Sequence, residues 1–220
     1  MNAPAVSLAS NSHISAIDLD RFRATPLSRD PYDYIIVPGF LRSEAIPGIE
    51  ADYPAIDRPG SFPVAGMDYG PAFAALLATI EGDDMRRAFA EKFDVDLTGK
   101  PTMITVRGRC QAKDGRIHTD SVTKIITVLI YMNAAWEAPG GQLRVLRSPT
   151  DLEHYAAEVP PVAGTLLAFR RGERSWHGHP PFVGPRRVIQ LNWVTGDDVV
   201  RREQTRHRVS AWVKKLVPFG

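Results

Sequence analysis

The run KIITVLIYMN, residues 124–133, decides how this chain is read. It is rich in β-branched and aromatic residues and closes on Asn, the composition of a buried strand running into a turn. By strand parity Thr127, Leu129 and Tyr131 share one face. Four further runs have the same texture: PTMITVRG (101–108), GQLRVLRS (141–148), GTLLAFRRG (164–172) and RRVIQLNWV (186–194), punctuated by Gly, Pro and Asn. Short strands so spaced predict an antiparallel barrel or jelly roll over about residues 100–195.

Outward from that core the pattern changes. YDYIIVPGF (32–40) reads as one more strand, and SEAIPGIEADY (43–53) as a short helical stretch. Pro71 opens a helix with Phe73, Leu76, Leu77 and Ile80 at helical spacing. EGDDMRRAFAEKF (81–93) restarts a helix behind an Asp cap, with Met85, Phe89 and Phe93 along one side. Val209, Trp212 and Leu216 give a covering C-terminal helix over about residues 198–217. Residues 1–15 are small and polar and read as a flexible N-terminus. The fold class expected is mainly β with flanking helices around a double-stranded β-helix (jelly roll) core, as a single domain over 16–220.

At 220 residues the chain is long enough to bury a full core without staples. A net charge of +2 gives no general reason to expect nucleic acid or a membrane surface as partner. The single cysteine, Cys110, excludes an internal disulfide framework and suits a reducing compartment. The N-terminus lacks a basic start followed by an apolar core, and no apolar run has the length of a bilayer span, so a cytoplasmic location is expected. Oligomeric state is not legible. The chain has no GxSxG elbow, no phosphate-cradling GxxxxGK[ST], no GxGxxG after a strand and no CxxC. Cys110 reads as a small buried hydrophobe.

What carries chemistry is GRIHTDS, where His118 and Asp120 stand two apart. On a strand, residues i and i+2 face the same way, so an imidazole nitrogen and a carboxylate oxygen can converge. A third ligand from a distant strand completes two histidines and one carboxylate, a facial set that leaves positions open and suits non-haem Fe(II). His177, in RSWHGHPPF, can supply it. His179, two further on, is either part of the pocket wall or a surface residue, since Pro180 and Pro181 end the strand. Arg187 opens the buried-looking run RVIQLNW, where a guanidinium needs an anionic partner. A dicarboxylate provides one, and Tyr131 can donate its phenol proton to the same group.

Four stretches in order resemble the Fe(II)/2-oxoglutarate-dependent dioxygenase superfamily, in its prolyl-hydroxylase-like branch: HTD (118–120), VLIYMNAAWEAPGGQLRVL (128–146), GTLLAFRRGERSWHGHPPF (164–182) and RRVIQLNW (186–193). The resemblance implies His118, Asp120 and His177 as iron ligands, and Arg187 with Tyr131 at the distal carboxylate of 2-oxoglutarate. Arg186 competes for that place; the spacing from Arg187 to Trp193 favours Arg187. Thr127 on the face of Tyr131 is a further cosubstrate candidate. Where the family often carries a tyrosine, TVRGRC (105–110) offers Arg107 or Arg109 instead.

The cofactors so implied are Fe(II), 2-oxoglutarate and O2, and the reaction is hydroxylation of an unactivated C–H bond with release of succinate and CO2. The substrate is a small molecule or a peptide. Basic residues near the motifs, among them Arg107, Lys124, Arg144 and Arg147, either rim the mouth and favour an anionic substrate or are solvated turn residues. The segment 52–70 is a lid or a long connection. Two alternatives use the same fold: a zinc-type metallohydrolase, which has no need of the arginine–tyrosine pair, and a non-catalytic jelly-roll binding domain.

Overall fold

In the computed structural model, which describes residues 15–202, strand alternation sorts the side chains onto two faces of a large sheet. The elements in chain order are α1 (Leu19–Ala24), β1 (Tyr34–Val37), α2 (Ile46–Ala51), β2 (Phe62–Pro63), α3 (Pro71–Glu81), α4 (Asp83–Phe93), β3 (Thr102–Cys110), β4 (Lys124–Tyr131), β5 (Leu143–Leu146), β6 (Tyr155–Val159), β7 (Leu166–Arg170), β8 (His177–Gly178) and β9 (Gly184–Val194). Six strands form one sheet in the order β1-β7-β4-β9-β3-β2, and three form a smaller one, β6-β5-β8. Every pairing between these strands is antiparallel. The two sheets make the expected jelly-roll core.

β4 shows how the sequence builds this. Ile126, Val128 and Ile130 belong to the large apolar cluster that the helices cover, together with Ile104, Val106, Ile189, Leu191 and Trp193. Leu129 and Tyr131 point the other way and pack with Leu143, Val145 and Val159 of the small sheet. A sheet apolar on both faces reads as a near-continuous hydrophobic run, as 124–133 does.

The helices bury aromatic stripes. Phe22 of α1 stacks on Phe89 of α4 with ring centroids 4.3 Å apart, and Phe89 lies 5.0 Å from Trp193 on β9. Trp193 is therefore the joint between helices and sheet and is fully buried. Trp193→Ala is expected to cost about 3–5 kcal/mol, because the surroundings cannot collapse into so large a void. Chemical denaturation, reading the midpoint at constant slope, checks this.

One expectation needs correction, and two elements, α1 and β6, have no counterpart in the sequence reading. α4 has Gly82, not an aspartate, at its N-cap, with no side-chain cap; Asp83 and Asp84 sit inside the first turn, where they meet the positive end of the helix dipole. The capping aspartate is Asp18 of α1, a helix too short to show a periodicity, whose side chain accepts from the Arg21 amide. β6 likewise has no counterpart among the runs singled out in the sequence. Residues 197–202 are helical, and the rest of the expected C-terminal helix, with residues 1–14 of the expected flexible segment 1–15, lies outside the described residues. No helix among the described residues is long and apolar enough to cross a membrane.

Candidate metal and cosubstrate site

His118 and His177 come from distant segments and are joined through their main chains. The His118 amide donates to the His177 carbonyl at 3.0 Å, and the His177 amide returns a bond to the His118 carbonyl at 3.0 Å. This isolated bridge, rather than the regular strand expected around GRIHTDS, sets the pair, and their ring centroids lie 4.3 Å apart. Gly178 makes room for the pairing: a Cβ there would lie 2.8 Å from the Gly115 carbonyl oxygen.

One ligand atom each from His118, Asp120 and His177 lies within 4.8 Å of the other two. His118 Nδ1 is 2.8 Å from the Arg116 carbonyl and His177 Nδ1 is 3.0 Å from the Ser175 carbonyl. With Nδ1–H donated to a carbonyl, each ring keeps its Nε2 lone pair for a metal. Burial pushes the His177 imidazole down to about 4, so it is neutral at ordinary pH. Burial also pushes the Asp120 carboxyl up, but the Lys124 charge, His177 and hydrogen bonds from Lys124 and Thr127 together hold it below the ordinary carboxylate range. Two imidazole nitrogens, one carboxylate and an open side are a donor set that fits Fe(II).

The three residues line a cavity of about 430 Å³ between the two sheets. Its sheet face follows the ladder register: Met103, Asn192 and Thr127 form one row; Thr105, Gln190 and Leu129 the next; Arg107, Val188 and Tyr131 the third. Beyond Val188 stands Arg186, only 4% exposed. Its Nε donates to the Gly141 carbonyl at 2.8 Å, and its guanidinium carbon lies 5.4 Å from the Tyr131 ring centre. Among the described residues, Arg186 Nη2 and Tyr131 Oη are buried without a hydrogen-bond partner. Burial pushes the phenol up, against the pull of Arg186, so it stays a proton donor. A buried guanidinium N–H left over at one end of the cavity, with a phenol beside it, calls for an acceptor, and a carboxylate fits.

Arg187, expected in that place, is a correction. It is exposed and turned to the helix side, with its guanidinium 5.6 Å from the Tyr53 ring centre and its amide donating to Asn133 Oδ1. Parity explains the error: Arg187 shares a face with Ile189, Leu191 and Trp193, so the spacing to Trp193 selects the wrong side of β9. Thr127 does face the cavity, but it donates its hydroxyl proton to Asp120 Oδ2, and Oγ1 also lies 2.9 Å from Asn192 Oδ1. Arg107 lines the cavity and pairs loosely with Asp114 at 3.8 Å.

His179 is in the cavity wall, buried, with burial and then Arg186 pushing it down to about 4. Its ring lies against Gly115, where a Cβ would come within 2.4 Å. Of the basic residues near the motifs, Arg107 and Lys124 line the cavity. Arg144 is tied to Glu153 and Glu158, and Arg147 to Asp30; Lys124 holds Asp120. From segment 52–70, β2 pairs with β3 and Ser61 reaches the cavity. Lys124, Gln190 and Asn192 are cavity residues that sequence reasoning missed as site residues; their parity with Arg186 and their distance from Asp120 were the available signals.

The comparisons with known proteins agree with this geometry. The model of the 2OG-Fe(II) oxygenase superfamily matches residues 109–195, which include every ligand candidate. No curated protein matches the sequence. Among solved structures, a Pseudomonas putida prolyl-4-hydroxylase superposes with a TM-score of 0.53 at 20% identity, covering 80% of this chain and 97% of its own. A prolyl 4-hydroxylase from Phytophthora capsici gives 0.53 at 14% identity, over 93% of this chain and 78% of its own. HygX from Streptomyces hygroscopicus, solved with nickel and 2-oxoglutarate bound, gives 0.50 at 14% identity, over 73% and 81%.

Through residues 109–195 this chain matches the 2OG-Fe(II) oxygenase superfamily. It is an Fe(II)- and 2-oxoglutarate-dependent dioxygenase with a prolyl-hydroxylase-like fold, and its cofactors are Fe(II), 2-oxoglutarate and O2. The zinc-hydrolase and non-catalytic alternatives fall with that assignment.

Proposed function

We propose that this enzyme hydroxylates an unactivated C–H bond of a small molecule or peptide, with His118, Asp120 and His177 holding Fe(II). Arg186 and Tyr131 take the distal carboxylate of 2-oxoglutarate, in place of the Arg187–Tyr131 pair expected from spacing. The observation that supports this reading best is the pairing, within one cavity, of a converging His–Asp–His set with the buried Arg186, whose Nη2, like the Tyr131 hydroxyl beside it, has no hydrogen-bond partner among the described residues.

When bound, the metal and cosubstrate supply the oxidising chemistry, in which O2 converts 2-oxoglutarate to succinate and CO2 and one oxygen atom goes to the substrate. The chain's own residues orient and insulate. The Arg186 guanidinium, braced on the Gly141 carbonyl, offers its remaining N–H groups in a fixed plane, and Tyr131 adds a second donor. Leu129, Leu143, Phe169 and Val188 wall the cavity with apolar surface, which strengthens those charge-assisted bonds by excluding water. Arg107 faces the same cavity and would be a further cationic partner for the cosubstrate. The imidazoles of His118 and His177 turn Nδ1 to a carbonyl, which leaves Nε2 as the atom each ring offers to the metal.

Anaerobic protein given Fe(II) and 2-oxoglutarate together is expected to show the weak visible charge-transfer band of a chelated 2-oxo acid, absent with either alone. Admitting O2 bleaches the band and yields succinate. Metal binding with neither band nor succinate would remove the cosubstrate assignment.

A further inference from the structure

Asp120 is gripped at three points. Lys124 Nζ lies 2.8 Å from Oδ1, Thr127 donates to Oδ2, and Arg171 Nε reaches the Asp120 backbone carbonyl at 3.3 Å. These contacts do different physical work. Thr127 is neutral and fully buried, and Arg171 acts on the main chain, so both fix where the carboxylate sits. Lys124 brings a positive charge to the one anionic member of the ligand set.

That charge has a consequence for a dication bound at the same carboxylate, and the inference rests on the metal-site assignment above. Like charges a few ångströms apart in a poorly screened cavity repel, and a carboxylate already shared with an ammonium is a weaker donor. Orientation does not depend on Lys124, because Thr127 and Arg171 hold Asp120 without it. We propose that Lys124 and Thr127 are positioning residues of opposite sign: Thr127 raises the metal affinity of the site by aiming Asp120, and Lys124 lowers it by drawing on the same carboxylate. Outer partners of metal ligands commonly change affinity by about 10–100-fold, which makes either effect measurable.

The test titrates Co(II), read by its visible d–d absorption, into the full chain without cosubstrate. Lys124→Met keeps the stem and removes the charge, and its Co(II) Kd is expected to fall roughly tenfold. Lys124→Arg, which keeps the charge, stays within about twofold of wild type, and Thr127→Val raises Kd roughly tenfold. A Lys124 that only supported the fold would weaken binding when removed, so the direction separates the two roles. An unchanged or raised Kd in Lys124→Met overturns the proposal. Lys124→Gln gives the same comparison should the Met variant not fold. Wild-type protein that binds no Co(II), or binds it equally well as His177→Ala, overturns the metal-site assignment itself and is a distinct outcome.

Discussion

His177→Ala is expected to lose the chelate band and all succinate formation, with metal affinity down by more than about a hundredfold, beyond the range for outer partners of a ligand. His177 is buried, and its ring is set by the Ser175 carbonyl on one side and by the main-chain bridge to His118 on the other. No neighbour can take over its nitrogen. His179, two residues along the same segment, has its ring against Gly115 at the Arg186 end of the cavity. His179→Ala is therefore expected to keep the band. Anaerobic titration of both variants with Fe(II) and saturating 2-oxoglutarate decides the matter; a band lost in His179→Ala and kept in His177→Ala would exchange their roles.

The second large effect separates two adjacent arginines. Arg186→Ala removes a charge-assisted partner worth about 1.5–3 kcal/mol, a rise of roughly 10–150-fold in the Kd for 2-oxoglutarate. It also leaves the buried Tyr131 hydroxyl without the neighbour beside it. Arg187→Ala, a change on the exposed helix side, is expected to stay within about twofold, because its guanidinium meets Tyr53 and not the cavity. Arg186→Lys should recover only part of the loss, since an ammonium cannot reproduce the planar fork. Band intensity against 2-oxoglutarate concentration gives all four constants. Equal losses in Arg186→Ala and Arg187→Ala would deny that strand parity selects the cosubstrate partner.

That pair also shows where the sequence was legible. The core came from composition, because a sheet buried on both faces leaves long apolar runs such as 124–133. The His–Asp–His set came from residue type and order, which do not depend on knowing the local backbone. Arg186 and Arg187 needed something finer, the face to which each position of β9 belongs. The alternation of Ile189, Leu191 and Trp193 against Val188, Gln190 and Asn192 contains that answer, but a spacing rule anchored on Trp193 follows the face that meets the helices. Lys124 on Asp120 and the orphaned Tyr131 hydroxyl are tertiary facts, and a single sequence has no term for them. The short α1 and β6 escaped because so few residues show no period.

The clasp between His118 and His177 is made of amides and carbonyls, so it constrains its neighbours by room, as at Gly178, more than by side-chain chemistry. Only proline at either position would remove one of its donors. The turns leading into it carry the Arg116 and Ser175 carbonyls that set the two rings, whereas Ser61 and Ser121 at the cavity touch neither imidazole ring. Such a scaffold lets descendants acquire new targets by changing those cavity positions alone, which makes them the natural places for a library aimed at altered selectivity.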